Sequence, residues 1–184
     1  MFHPKGVHVS SVYAYSLAVR PKNGLFLLLE EESVDISYVS DGKVVLHVFI
    51  PNSYLYLEDS LKSALDIDSK TVQSILASRA NLASVQQGKK TMKNMWPDLS
   101  IEIQQKVNAI VDEHYAVVMK YVYTLIDQVK TERHFDTEEI RVCALNAVLA
   151  SVYGYSLAKL IKDDAYIKTV MKVSDENVYI DYLF

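Results

Sequence analysis

IRVCALNAVLASVYGYSLAKLI, residues 140–161, is the stretch whose reading decides the fold. It is apolar on nearly every side, and small residues recur at Cys143, Ala147, Ala150, Ser151, Gly154 and Ala158. A helix without a clear polar face has to be surrounded by protein, so the stretch is expected to be the central helix. Asp136 and Glu139 form an acidic variant of the capping box that would start it, giving a helix over 137–162. The twenty residues from Val142 to Ile161 also match the length of a membrane span. Asn146, Ser151, Ser156 and Lys159 inside it, and Glu138, Glu139, Arg141, Lys162, Asp163 and Asp164 at its ends, argue for burial in protein instead. No membrane partner is expected.

Upstream, Pro97-Asp98 launches the longest helical pattern, 99–130. Its apolar positions Ile103, Val107, Ile110, Val117, Tyr121 and Leu125 fall close to a seven-residue seam. The short connection 131–136 then predicts an antiparallel helical hairpin. The small-residue stripe would let the two backbones approach closely, with Gly154 against the 99–130 helix.

The first fifty residues change period. Val7 to Val19 alternates as a strand does. Pro21-Lys22-Asn23-Gly24 reads as a turn, Leu25 to Glu30 as a second strand and Val34 to Val39 as a third. Asp41-Gly42 is a tight hairpin signal leading into Val44 to Ile50, which is apolar on both faces and expected to be central. Helices succeed it over 57–65 and from Asp68-Ser69 to Gly88, with a short one over 165–173. The tail NVYIDYLF (177–184) alternates as a last strand.

The expected fold class is therefore α+β: an N-terminal antiparallel β-meander of about four strands (1–53) packed on a mainly helical part (54–184) with a long antiparallel helical hairpin and a short C-terminal strand. SVYAYSLA (11–18) and SVYGYSLA (151–158) differ at one position. They are assigned to a strand and a helix, because context overrides weak local preference.

Composition narrows the function classes. The charge of −4 over 184 residues lacks the basic footprint of a nucleic-acid binder. The single cysteine, Cys143, forbids an internal disulfide and fits a reducing compartment. The N-terminus lacks a signal peptide's apolar core, so the expected location is cytoplasmic, or the host cytoplasm if the protein is viral.

Patterns that carry chemistry are few. Gly88-Lys89-Lys90-Thr91 lacks the upstream glycine and the preceding strand of a phosphate-binding loop. Asp112, Glu113 and His114 are adjacent and point in different directions, unlike helical metal ligands; His114 reads as a core or interface histidine. His134 beside Asp136, Glu138 and Glu139 lacks a second ligand pair, and Cys143 in an apolar stretch is not an activated thiolate. No catalytic residue, metal site or cofactor is assigned. The residues that suit a protein contact are Lys89, Lys90, Met92, Lys93, Met95 and Trp96 in the connector, and Tyr179, Tyr182 and Phe184 in the tail.

These features point to a non-enzymatic interaction protein: an inhibitor, immunity or accessory subunit of phage or mobile-element type, binding another protein and optionally itself. A structural subunit of a larger particle is the second reading. An enzyme built around His47, His114 or His134 is the third.

Overall fold

In the computed structural model, residues 23–51, 53–85, 98–132, 134–135, 138–144 and 149–182 are described. The strand expected over 7–19, the connector 88–96, Asp136 of the capping box, and Phe184 lie outside them. Three strands open the described chain: β1 (Asn23–Leu29), β2 (Val34–Ser40) and β3 (Lys43–Ile50). Asp41 and Gly42 both take positive φ, 52° and 72°, which makes the tight β2–β3 turn that Asp-Gly favours.

Three helices come after the strands: α1 (Tyr54–Leu65), α2 (Ser69–Val85) and the 32-residue α3 (Ile101–Glu132). Next are β4 (Glu139–Ala144), a π-helical turn (Leu149–Gly154), α4 (Tyr155–Asp163), α5 (Ala165–Met171) and β5 (Val178–Tyr182).

The five strands form one sheet in the order β3-β2-β1-β4-β5. β1 runs antiparallel to β2, and β2 to β3, with Leu27 opposite Ile36 and Ile36 opposite Val48. β1 is parallel to β4, with Leu27 opposite Val142, and β4 is parallel to β5, with Val142 opposite Ile180. This corrects the expected fold class. The meander is no sheet of its own but half of a mixed sheet whose other half comes from the end of the chain. β3, expected to be central, lies at the edge; β1 takes the middle position, and Leu25 to Leu29 are buried.

The helical hairpin is likewise replaced. The element after α3 is a strand, because 139–144 obeys the period of two. Ile140, Val142 and Ala144 point into the main core with Leu25, Leu27, Leu29, Ile36 and α3, while Cys143 joins Phe26, Leu28 and Val39 in a second cluster on the reverse face. The strand is six residues long and runs straight into a longer apolar stretch, too short a window for periodicity to separate it from the start of a buried helix. Only the second part of the opening stretch is helical.

Gly24 shows how tightly β1 and β4 approach. A Cβ there would stand 2.0 Å from the Glu139 carbonyl oxygen, so no other residue fits. Gly154 faces the sheet and not α3: its Cβ would meet Leu29 Cδ1 at 3.2 Å and Val142 Cγ1 at 3.8 Å.

Candidate association surface

The long helix α3 is divided lengthwise. Val107, Val111, His114, Val118, Val122, Leu125 and Val129 are buried against β2, β3 and the neighbouring helices. Ile103, Val117 and Tyr121 are 37–39% exposed, and Ile101 is 74% exposed. The seam that sequence spacing assigns to one face is therefore split: Val107 and Leu125 turn inward, whereas Ile103, Val117 and Tyr121 turn to solvent.

Grooves flank this outer ridge on both sides. One, of about 520 Å³, runs between α1 and α3 past Tyr56, Ser60, Ile110, Glu113, His114 and Val117. The other, of about 480 Å³, is lined by Ala116, Met119, Lys120, Tyr123, Asp127 and Leu160 and is mainly apolar.

A polar cluster anchors the ridge from beneath. His114 Nε2 lies 2.8 Å from the Tyr153 hydroxyl, and the Tyr115 hydroxyl donates to the Tyr153 carbonyl at 3.3 Å. The Tyr115 and Tyr153 rings stack at 5.3 Å, and Tyr56 stacks on His114 from the outer side at 6.3 Å. Burial pushes the His114 pKa down to about 4 and both tyrosine hydroxyls up. The imidazole is therefore neutral at pH 7. Its Nδ1 has no partner among the described residues.

A second polar group lies on the reverse sheet face. His47 Nε2 is 2.8 Å from Asp35 Oδ1, and Ser37 stands opposite His47 across the β2–β3 ladder. Although serine, histidine and aspartate meet here, Ser37 Oγ is fully buried and makes no bond to the imidazole. A nucleophile needs that bond and an open approach, so this is a structural polar cluster. Sequence reasoning misses Asp35 and Ser37; the signal is polar residues at alternate positions of VDISYVS.

The three histidines thus sit in separate places: His47 on the edge strand, His114 under the ridge and His134 exposed in the α3–β4 connection. No group of three or more His, Cys, Asp and Glu side chains among the described residues could hold a metal. Cys143 is buried. No helix among the described residues is long and apolar enough to cross a membrane.

Of the expected contact residues, Lys89, Lys90, Met92, Lys93, Met95 and Trp96 lie outside the described residues, as does the Tyr182 side chain. Tyr179 is 36% exposed on β5, with the Arg141 guanidinium 4.7 Å from its ring centre.

Ligands of open sheets with parallel strands bind outside the strands' carboxyl ends. Here β1 and β4 end at Leu29 and Ala144, and β1 leads directly into Glu30-Glu31-Glu32-Ser33. Glu31 and Glu32 are exposed, and the Glu31 carbonyl accepts the Leu55 amide at the start of α1, with the Ser53 hydroxyl also bonded to it. Three carboxylates and an amide already taken oppose an anion at this edge.

No family model matches the sequence, and no curated protein does. Several solved structures are similar in fold. The PilM-PilN type IV pilus biogenesis complex is 10% identical with a TM-score of 0.49, covering 95% of this chain and 39% of that one. The ethanolamine utilization protein EutJ from Carboxydothermus hydrogenoformans is 11% identical with a TM-score of 0.47, covering 92% and 48%. MreB 5 of Spiroplasma citri, bound to AMPPNP, is 12% identical with a TM-score of 0.49, covering 91% and 51%.

These are proteins of the actin-like ATPase fold, and the chain spans about half of their length or less. The expectation of an inhibitor or immunity protein of phage type has no counterpart among these structures and is not carried further. One of them is solved as a complex of two proteins.

Proposed function

We propose that this chain is a lobe of a self-assembling protein of actin-like type, working by contacts between copies and not by turnover of a nucleotide. The observation that supports this reading is the outer ridge of α3. Ile103 and Val117 are two seven-residue steps apart on one face of a 32-residue helix, and no described element covers them. Apolar residues at heptad spacing form a seam for another helix, and flanking grooves give that helix somewhere to seat its side chains.

Nucleotide binding is the other reading the fold invites. It is opposed by the acidic Glu30–Ser33 turn at the carboxyl edge, where phosphate would meet three like charges. A sedimentation-velocity series over a hundredfold range of concentration tests the proposal. A weight-average mass that rises with concentration supports self-assembly, and a monomer throughout overturns it.

A further inference from the structure

The charges on the α3 ridge specify how two copies would meet. Lys106, Glu113, Lys120 and Asp127 succeed one another at seven-residue intervals with alternating sign. Read backwards, a +, −, +, − series becomes −, +, −, +, so a second copy laid antiparallel opposes every charge with its opposite. A parallel copy in register would oppose like with like. We infer that two copies of this chain associate through α3 in an antiparallel, two-fold arrangement centred between Ala116 and Val117. In that register Glu113 faces Lys120 of the second copy, and Lys106 faces Asp127. This rests on the proposed self-assembly and specifies its surface and register.

The surroundings of the two central charges support a pairing between chains. On a helix the neighbours of a residue lie three and four positions away. For Glu113 these are Ala109, Ile110, Ala116 and Val117; for Lys120 they are Ala116, Val117, Tyr123 and Thr124. Neither has an opposite charge in reach on its own helix, and both are exposed. Asp112, one residue away, has its own partner in Arg79 at 3.2 Å. The outer pair is more engaged, since Lys106 Nζ donates to the Ala64 carbonyl at 2.5 Å and Tyr166 bonds to Asp127. Glu113 and Lys120 are thus the specifying charges. Ala109 and Ala116 keep the ridge low beside them, so a second helix can come close. A two-fold contact uses each pairing twice, which doubles the effect of one substitution.

The test uses the full chain. Glu113→Lys should weaken self-association by about tenfold or more, and adding Lys120→Glu in the same chain should restore it, as expected when like charges are opposed and then re-paired. Both sites are exposed, and an unchanged circular dichroism melt confirms that the fold is intact. Cysteine cross-linking fixes direction. Val117→Cys should give a disulfide-linked dimer. Ile103→Cys should not, because its two copies would be separated by roughly 40 Å along antiparallel helices. If the wild-type chain is monomeric, the self-assembly reading fails and this inference with it. If it associates but Glu113→Lys has no effect, or Ile103→Cys cross-links, the inference is overturned while self-assembly stands.

Discussion

His114 carries a linkage between protonation and folding that one substitution can expose. Its folded pKa of about 4 lies below the ordinary 6.5 because burial disfavours the cation. Between those values the unfolded chain binds more protons than the folded one, so stability rises with pH across that window. The contribution is complete above pH 6.5 and is lost on acidification towards pH 4, on the order of 3 kcal/mol in all. His114→Gln should flatten the dependence of urea midpoint on pH between 4 and 6.5; a slope equal to that of the parent would contradict the buried, neutral assignment. Gly154 makes a second residue-scale test. Leucine there has to displace Leu29 and Val142, and should cost about 1–3 kcal/mol in thermal unfolding. That the contact is with the sheet cannot be read from the sequence, because small residues mark a close approach without naming the partner.

Among elements, β4 and the start of α5 set the architecture. Gly24→Ala would drive a methyl into the Glu139 backbone and pry β1 from β4, lowering stability by about 3 kcal/mol in denaturant unfolding. The α5 cap is a milder case. Asp164 Oδ1 accepts the Ile167 amide at 2.8 Å, and its Oδ2 accepts the Tyr123 hydroxyl at 2.5 Å. That bond, with a lesser effect of burial, raises the Tyr123 pKa to about 12. Asp164→Ala should cost about 1–2 kcal/mol, and ultraviolet titration should find Tyr123 ionising at lower pH. Turn chemistry is legible at this scale: Asp41-Gly42 makes its hairpin, and the pattern of 99–130 is the long helix. Strand β4 is not. Between Ile140 and Ala144 only Arg141 is polar, and Leu149 to Ile161 is broken only by Ser151, Ser156 and Lys159, too few polar positions to mark where a buried strand gives way to the buried helix after it.

For the molecule as a whole, parallel pairing cannot be inferred from local pattern, since β1 and β4 are joined by more than a hundred residues and meet only through tertiary contact. The proposed association surface is half legible. The heptad spacing of Ile103, Ile110 and Val117 is visible, but it points equally well to an internal partner, because sequence spacing does not tell which of two apolar stripes is left outside. The acidic turn after β1 makes a further prediction at this scale: titration calorimetry with Mg-ATP should show no binding heat, and replacing Glu30, Glu31 and Glu32 with glutamine should not weaken self-association.

The architecture depends above all on 139–144 being a strand parallel to β1. Backbone nuclear magnetic resonance of the full chain tests this directly. The expected result is extended chemical shifts over 139–144 with inter-strand contacts between Leu27 and Val142, and helical shifts over Leu149–Asp163. Helical shifts running unbroken from Ile140 to Ile161, without contacts to β1, would contradict it.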